Sequence, residues 1–485
     1  MTVADVKITP APAPPARNSL FILAARLVEL AASVAIAAVV ARYLGVAGYG
    51  HYALIIAFVM LFGQFISFGL EHIIIREVAR EPSRLRELLG AGMTLEVMLG
   101  AAVVPLLAAF SLLADLGKGA GAGVLVFGAA FFLRAFYEVV YRSTFVGCGA
   151  ARYETVLTLV FQGLRLGFVG AVVLAGGGVV AVLGAVLAAE AVNAVAAYAV
   201  LRWKFTPARP QWRWPVMKYL LIQAGPIAAV GILNNIYLQQ DTLLIKWLAD
   251  DSRAVGYFAA AYRLVTFFIF LTVPMLWPLL PEFSRRAGAG TADLVAGARR
   301  AARAALFVIL PAAVLSAWFA PELIRFIFGR DYLAAAPALT VLAASMAARP
   351  LWYVADAALI ASGRQRYLAA VALIAVLVNL GLDVWLIPRM GFMGAAWGTV
   401  AADVTGVVAG VVVASVVLGR PLVDTRALAP AALAAAVGLA LWATAAWPRW
   451  ATGPAAVLAF AAGTLLLLGK EDRAALGAAA GLRFR

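Results

Sequence analysis

The sequence has few of the side chains that build disulfides and metal sites. Among its 485 residues there are one cysteine, Cys148, and two histidines, His51 and His72. A single cysteine excludes a disulfide within the chain, and so few thiol and imidazole ligands argue against a zinc or iron site. Charged residues are also scarce, since they make up 13% of the chain, about half the share found in soluble domains. We therefore expect no metal and no cofactor.

Long apolar runs, in contrast, fill most of the chain. Hydrophobic residues make up 65% of it, in segments of roughly 20 to 28 residues that are each long enough to cross about 30 Å of hydrocarbon as a helix. About fourteen such segments are present. They are residues 19–44, 50–70, 88–114, 121–147, 155–176, 179–201, 219–248, 256–280, 302–328, 333–362, 367–388, 394–418, 428–447 and 454–469. The sequence therefore predicts an all-α polytopic membrane protein.

The basic residues are unevenly placed along the chain. A formal net charge of +15 would suggest a nucleic-acid partner in a soluble protein. Here, however, Lys and Arg gather in alternate connectors, at 76–86, 202–218 and 285–303, whereas the intervening connectors hold few. Because connectors rich in Lys and Arg stay on the cytoplasmic side, the pattern predicts cytoplasmic termini. It also predicts contact with anionic membrane lipids and no nucleic-acid partner.

The connectors are short. None exceeds about 25 residues, which is too little for a soluble catalytic domain. A membrane polymerase or ligase of polysaccharide assembly needs a long outer loop with catalytic residues, and a scaffold has no need of polar residues inside its spans. We therefore expect a transporter and not an enzyme.

Two stretches of the sequence share a pattern. Residues 42–53 read RYLGVAGYGHYA, and residues 246–263 contain KWL followed by VGYFAAAYR. This similarity predicts two parallel six-helix lobes, although chance resemblance between Ala- and Gly-rich segments is the alternative. The predicted organisation is a disordered cytoplasmic tail at 1–18, an N-lobe at 19–204, a cytoplasmic linker at 205–218, a C-lobe at 219–418, and two further helices with a cytoplasmic tail at 419–485.

Polar side chains form stripes on four helices that the repeat makes equivalent. The stripes are Arg26, Glu29 and Ser33 on helix 1, Gln64, Ser67 and Glu71 on helix 2, Gln223, Asn234, Tyr237 and Asp241 on helix 7, and Arg263 and Thr266 on helix 8. Ionisable groups within a membrane usually face a protein interior or a wet cavity. We therefore predict a shared substrate cavity lined by Arg26, Glu29, Gln64, Glu71, Asn234, Tyr237, Asp241 and Arg263.

The alternative is that these polar groups only hold helices together. Arg134 and Glu138, four residues apart, favour that interpretation, and Arg26 with Glu29 has a compatible spacing. Asp241 favours the cavity, because its neighbours on the same face are amides and a tyrosine. The polar sets Arg165 with Gln162 and Thr158, and Arg349 with Asp356, remain undecided. So do the isolated carboxylates Glu96, Glu190 and Asp403, which can instead neutralise an arginine on another helix.

Several short motifs occur in the order and spacing of a known transporter family. They are YLGVAGYGHYA at 43–53, FGLE at 68–71 with REVAR at 76–80, GY at 256–257 with AYR at 261–263, FGRDY at 328–332, ASGR at 361–364 and GFMGAAWG at 391–398. From about residue 19 to residue 418 the chain resembles the polysaccharide transporter family, of the O-antigen flippase type. That family belongs to the multidrug/oligosaccharidyl-lipid/polysaccharide flippase superfamily.

The resemblance implies two six-helix lobes plus two extra helices, which alternate between inward-open and outward-open states in a bacterial cytoplasmic membrane. It implies that the substrate is a lipid-linked oligosaccharide on a polyprenyl pyrophosphate, moved from the cytoplasmic to the outer leaflet, with polysaccharide assembly enzymes as candidate partners. Guanidinium groups suit a diphosphate, which nominates Arg26 and Arg263. Glu29 and Asp241 are nominated to bind a coupling proton or sodium ion. A cation-coupled drug or toxin exporter of the same superfamily is the alternative, because interior carboxylates equal or outnumber interior arginines.

Overall fold

The computed structural model describes residues 15–114, 116–117, 119–205, 209–276, 279–444 and 449–467. The regular elements within these ranges are all helices, and the ranges contain no β-strand. The all-α prediction is therefore confirmed. Residues 1–14 of the tail predicted at 1–18 lie outside the described residues. The tail predicted after residue 469 lies outside them as well, with the last two residues of the span predicted at 454–469.

The chain divides into two compact units between Gly256 and Tyr257. The first unit contains α1 (Pro15–Ser67), α2 (Leu70–Arg80), α3 (Leu85–Leu113), α4 (Ala120–Tyr137), a π-helical turn (Glu138–Arg142), α5 (Ser143–Gly147), α6 (Ala151–Leu174), α7 (Val179–Lys204), α8 (Trp214–Ala249) and the start of α9 (Ser252–Leu276). The second unit contains the rest of α9, α10 (Leu279–Ala289), α11 (Thr291–Trp318), α12 (Ala320–Ile327), α13 (Ala336–Ala361), α14 (Arg366–Met390), α15 (Phe392–Leu418), α16 (Leu428–Ala443) and α17 (Arg449–Leu467).

Ten helical stretches of the described residues are long and apolar enough to cross a membrane. One of them, Ala25–Arg80, has 56 residues, more than twice the roughly 20 that one crossing needs. Its backbone breaks at Gly45, where φ is 67°, a conformation that glycine adopts at little cost. The predicted spans 19–44 and 50–70 lie on either side of this break. Two shorter apolar helices, Ala429–Ala443 and Thr452–Thr464, coincide with the last two predicted spans, and the chain is a multi-pass membrane protein.

The two similar motifs of the sequence contact each other within the first unit. A Cβ atom at Gly50 would collide with the carbonyl oxygen of Ser252, and one at Gly256 would collide with the carbonyl oxygen of Val46. The neighbouring atoms are backbone atoms, which cannot rotate away as a side chain can. Glycine is therefore required at both positions for the chain to pack this closely.

The π-helical turn Glu138–Arg142 connects α4 directly to α5. The flanking residues Tyr137 and Ser143 have helical backbone angles, so the helix continues through the turn. Such turns change the phase of the side chains that follow, and they occur often at functional sites. Around this segment, α1 packs on α4 and α6, and α7 packs on α4 and α6. The side chains that face inward from these four helices form the site described below.

In the second unit, α13 lies against α11 and α15, and α14 packs along α15. Buried aliphatic and small residues form its core, among them Leu294, Val354, Leu359 and Ala414. The last two helices, α16 and α17, pack on each other and on α11 through Val437, Leu441 and Phe460.

The segment between α7 and α8 is tied to the start of α3. The backbone N–H of Gln211 donates to the carbonyl oxygen of Gly90 at 3.0 Å, and the Thr94 hydroxyl donates to the carbonyl oxygen of Gln211 at 3.1 Å. A Cβ atom at Gly90 would lie 2.8 Å from the carbonyl oxygen of Arg209. The connector between the two helices is therefore fixed along the end of α3 from residue 209 onward.

Candidate functional site

A chain of ion pairs links α1 to α4 inside the first unit. Arg26 donates from Nη1 to Oε2 of Glu29 at 2.6 Å. Arg134 donates from Nη2 to Oε1 of Glu29 at 3.0 Å and from Nε to Oε1 of Glu138 at 2.9 Å. The predicted pairing of Arg134 with Glu138 is therefore present, but Arg134 also reaches across to α1. Arg134 therefore links the charged groups of α1, Arg26 and Glu29, to the π-helical turn.

A second chain of ion pairs is centred on Arg142. This residue donates from Nε to Oε1 of Glu154 on α6 at 2.6 Å and from Nη1 to Oε1 of Glu71 on α2. Both carboxylates are buried, with 5% of Glu154 and 7% of Glu71 exposed. One guanidinium therefore bridges two buried carboxylates from helices that are distant in sequence.

The two chains of ion pairs border one cavity, which we call the arginine cavity. The open space along its walls is about 360 Å³, a figure that includes solvent outside the mouth. Its lining is Ala25, Arg26, Glu29, Arg134, Tyr137, Arg142, Glu154, Thr158, Phe161 and Asn193. Three guanidinium groups and two carboxylates therefore face a space with polar hydroxyl and amide groups on its other walls.

Some polar atoms near the arginine cavity have no partner among the described residues. The Tyr137 hydroxyl is one, and both side-chain amide atoms of Gln162 are others. Only 3% of Gln162 is exposed. Because buried polar groups in proteins are nearly always hydrogen-bonded, these atoms are available to a ligand or to water.

The predicted cavity residues are only partly brought together. Arg26 and Glu29 line the arginine cavity, and Glu71 touches it through Arg142. Gln64 lies against α8, where its amide occupies the space that a Cβ atom on Gly231 would take. On α8 itself Asn234 is exposed, whereas Tyr237 and Asp241 are buried. Arg263 belongs to the second unit.

The sequence interpretation missed Arg142, Glu154, Tyr137 and Asn193 as cavity residues. A signal was present for Arg142, because Arg134, Glu138 and Arg142 recur every four residues along one helix. Glu154 was placed in a connector, since the predicted span began at 155, but α6 begins at Ala151. A carboxylate that seemed to lie outside the membrane is thus an interior residue.

The three carboxylates whose partners the sequence leaves undecided differ in whether a donor reaches them. Asp403 on α15 pairs with Nε of Arg349 at 2.5 Å, so this carboxylate neutralises an arginine on another helix. Glu96 on α3 is fully buried, and among the described residues no donor reaches either of its carboxylate oxygens. One oxygen of Glu190 on α7 is likewise without a donor there.

A second polar group lies between α14 and α15 in the second unit. Asn379, Asp383 and Thr399 are all at most 1% exposed, and a Cβ atom at Gly398 would meet the carboxylate of Asp383. Among the described residues, no three His, Cys, Asp or Glu side chains are grouped so that they could hold a metal ion. These polar residues therefore form a contact between α14 and α15, in which the side-chain amide atoms of Asn379 lack partners within the described chain.

Two family models match the chain, each over more than half of its length. A model described as polysaccharide biosynthesis protein matches residues 16–286, and a model described as lipid II flippase MurJ matches residues 154–462. No curated protein matches the chain significantly in sequence.

Several solved transporter structures are similar to this one. The lipid II flippase MurJ in an inward closed conformation matches with a TM-score of 0.75 and 14% identity, over 92% of this chain and 97% of that one. An inward-facing multidrug resistance transporter of the MATE family matches with a TM-score of 0.65 and 15% identity, over 81% and 94% of the two chains. A transporter of the same superfamily from Pyrococcus furiosus matches with a TM-score of 0.61 and 17% identity, over 83% and 95%. At sequence identities of 14–17%, these structural similarities show the fold alone.

Proposed function

Because this chain belongs to the polysaccharide biosynthesis protein family and to the family of the lipid II flippase MurJ, we propose that it moves a lipid-linked oligosaccharide across a bacterial cytoplasmic membrane. It is a multi-pass membrane transporter with the fold of MurJ and the MATE exporters. The proposed substrate is carried on a polyprenyl pyrophosphate and passes from the cytoplasmic to the outer leaflet by alternating access. Both termini of the protein are proposed to lie in the cytoplasm.

The arginine cavity supports this proposal most directly. A diphosphate headgroup needs cationic donors when it leaves water, and guanidinium groups bind phosphate oxygens in bidentate geometry. Arg26, Arg134 and Arg142 supply three such groups around one space. Each is already held by a carboxylate, so its position is fixed before the substrate arrives. Binding then requires only that phosphate oxygens replace or share these carboxylate contacts.

The lipid part of the substrate needs no polar path. A polyprenyl chain gains about 0.8 kcal/mol for each CH₂ that stays in hydrocarbon, so the tail remains in the bilayer while the headgroup crosses. The protein has to lower the barrier for the charged head alone. Arg263 of the second unit is proposed as a further anion contact, and Asp241 as a residue that binds a coupling ion.

A cation-coupled exporter is the second candidate, and one observation favours it. Six carboxylates of the first unit are buried, Glu71, Glu77, Glu96, Glu154, Glu190 and Asp241, whereas every arginine described in that unit is half-buried or exposed. An organic cation would be attracted to such an excess of carboxylates. The three arginines that face the arginine cavity itself, however, outnumber its two carboxylates. This local excess of guanidinium groups supports an anionic ligand, which has to compete with Glu71 and Glu138 for Arg142 and Arg134.

The test uses purified protein in liposomes that contain a fluorescent polyprenyl pyrophosphate oligosaccharide. We expect the wild type to expose the labelled headgroup to an impermeant quencher faster than empty liposomes do. Arg26→Gln should slow this exposure by about tenfold or more, because a hydrogen bond to a charged group contributes about 1.5–3 kcal/mol. Arg26 is the cavity arginine to replace, because Glu29 keeps its contact with Arg134 when Arg26 is changed.

Arg152→Gln is the matched control. Arg152 is an exposed arginine of the same unit that stacks on Tyr153, so its loss removes one positive charge outside the cavity and should leave the rate unchanged. Equal rates for the wild type and empty liposomes would contradict the flippase proposal. Uptake of an organic cation against its gradient by the same liposomes would establish the exporter instead.

A further inference from the structure

Basic and aromatic side chains are concentrated in the connector between α7 and α8. Residues 202–218 contain five Lys or Arg residues and three of the twelve tryptophans, but no Asp or Glu. The residues are Arg202, Lys204, Arg209, Arg213 and Lys218, with Trp203, Trp212 and Trp214. None of them lines the arginine cavity, so the proposed transport site does not explain this segment.

The three tryptophans are largely exposed. The exposed fraction is 73% for Trp203, 67% for Trp212 and 53% for Trp214. Lys204 stacks on one of them, with its Nζ 3.7 Å from the centre of the Trp203 ring. Because apolar surface gains free energy when it leaves water, side chains this exposed favour contact with a surface outside the chain.

The connector lies where two candidate membrane spans end. These spans are Val179–Lys204 and Trp214–Ala249, so only residues 205–213 separate them. Such a short segment stays close to the membrane surface, because one residue extends a chain by at most about 3.6 Å. Tryptophan is enriched at this depth, where its ring meets both hydrocarbon and polar headgroups. The surface that the exposed rings contact is therefore the headgroup layer of the membrane.

The middle of the connector is fixed in position. The N–H of Gln211 donates to the carbonyl oxygen of Gly90 at 3.0 Å, and the Thr94 hydroxyl donates to the carbonyl oxygen of Gln211 at 3.1 Å. Arg213 donates from Nη1 to Oε1 of Glu87 at 3.2 Å. All three contacts are made with α3, which is itself part of a candidate span. An ordered connector loses little further freedom when a lipid binds, so its contacts contribute more fully to affinity.

Two cations of the connector are exposed and lack a carboxylate partner among the described residues. They are Arg209 and Lys218. Lys218 follows Trp214 by four residues, which places both side chains on one face of α8. Anionic headgroups attract such cations, and each Lys or Arg at the membrane surface strengthens binding by about fivefold. Exposed indole rings and positive charge together therefore suit a lipid with a net negative headgroup.

We propose that the described part of this connector, residues 202–205 and 209–218, is a binding site for anionic phospholipids. Its tryptophan rings lie among the headgroups, and Arg209 and Lys218 bind lipid phosphates through charge-assisted hydrogen bonds. The site is independent of the substrate that the arginine cavity carries. A lipid-linked diphosphate suits this surface less well, because its cations are spread along the connector, whereas those of the arginine cavity face one space.

The first experiment measures binding of brominated phosphatidylglycerol and brominated phosphatidylcholine to the full-length protein in a neutral detergent. Bromine quenches tryptophan fluorescence on contact. The signal of the connector is the part that is lost when Trp203→Phe, Trp212→Phe and Trp214→Phe are combined, and it is measured in this way for every charge variant. We expect the connector to bind phosphatidylglycerol at least about fivefold more tightly than phosphatidylcholine. Replacing both cations, Arg209→Gln with Lys218→Gln, should remove most of this preference.

Two further double variants separate local charge from net charge and from damage to the fold. Arg152→Gln with Arg366→Gln removes the same charge from exposed positions outside the connector and should leave the preference unchanged. Arg209→Lys with Lys218→Arg keeps the charge of the connector and should retain the preference. Loss of the preference in either variant would overturn the proposal, since local positive charge would then not be its cause.

Two results with the wild type would also overturn it. Equal affinity of the connector for the two phospholipids would show that the tryptophans anchor in any headgroup layer. Displacement of phosphatidylglycerol from the connector by an equal concentration of a polyprenyl pyrophosphate would assign the surface to the transported lipid instead. Neither result depends on the arginine cavity, so failure here is distinguishable from failure of the proposed function.

Discussion

Arg134 on α4 and Glu29 on α1 form an ion pair 3.0 Å long although 105 residues separate them in the sequence. The same guanidinium binds Glu138 one turn further along its own helix. One side chain thus connects the first helix of the chain, the π-helical turn and the wall of the arginine cavity. This arrangement makes Arg134 both a structural contact and a candidate ligand for an anion.

The first prediction concerns the stability that this arginine provides. Arg134→Met leaves Glu138 without its cation and weakens the neutralisation of Glu29. Removing one partner of a fully buried ion pair typically costs about 3–5 kcal/mol. Because these side chains are half-buried, with 25–28% of each exposed, we expect a smaller loss, seen as a lower thermal unfolding midpoint in detergent. The double variant Arg134→Met with Glu138→Gln should recover part of this loss, because the two sites interact directly. A single variant as stable as the wild type would show that water, not Arg134, solvates these carboxylates.

The sequence predicts the spans of this protein well, and the reason is physical. Within hydrocarbon a helix satisfies its own backbone hydrogen bonds, so a long apolar run is expected to form a helix. Residues 179–201 do so as part of α7 (Val179–Lys204). Pairs one turn apart on a helix are equally local. Arg26 with Glu29 and Arg134 with Glu138 both form as their spacing predicts.

Contacts between helices are not predictable in the same way. Spacing along α13 puts Arg349 and Asp356 on one face and leaves their pairing undecided, whereas packing of α13 on α15 brings Asp403 to the guanidinium. The π-helical turn is another case, because a period of 3.6 residues assumes a regular helix and does not show where the phase changes. The arginine cavity depends on both kinds of information, which is why only Arg26 and Glu29 among its lining residues were predicted.

The second prediction concerns the connector between α7 and α8. Gly90→Ala places a Cβ atom 2.8 Å from the carbonyl oxygen of Arg209, so the connector has to move away from α3. We expect trypsin to cleave after Arg213, the exposed arginine of the connector that proline does not follow, faster than in the wild type, and the exposed fraction of Trp212 to increase further. The control is Gly170→Ala on α6, where no atom lies within 4 Å of the added methyl group. Equal cleavage rates for Gly90→Ala and the wild type would show that the connector is not held at Gly90.

The third prediction is a dependence on pH in the short helix α10. Hydrogen bonds from Arg285, together with one from Arg286 at 2.6 Å, hold the pKa of Glu282 below its ordinary value of 4.5. A carboxylate whose pKa is lowered by folding stabilises the folded state above the ordinary value, and this contribution disappears as the pH falls through the lowered one. Hydrogen-exchange protection of the α10 amides should therefore decrease below about pH 4.5. Glu282→Gln should reduce protection at neutral pH and abolish this acid-dependent step; a step that persists in the variant has another origin.

The fourth prediction concerns the close approach of the two similar motifs. Gly50→Ala sets a methyl group against the carbonyl oxygen of Ser252, and Gly256→Ala sets one against the carbonyl oxygen of Val46. Backbone atoms cannot yield without moving a helix, so we expect each variant to lower the thermal unfolding midpoint and to slow transport in liposomes. Gly163→Ala on α6 is the matched control, since nothing lies within 4 Å of its added methyl group, and alanine in a helix is favoured over glycine by about 1 kcal/mol. The control should thus be as stable as the wild type or more so. If Gly50→Ala behaved in the same way as Gly163→Ala, the motifs would not need to touch for the protein to fold or to transport.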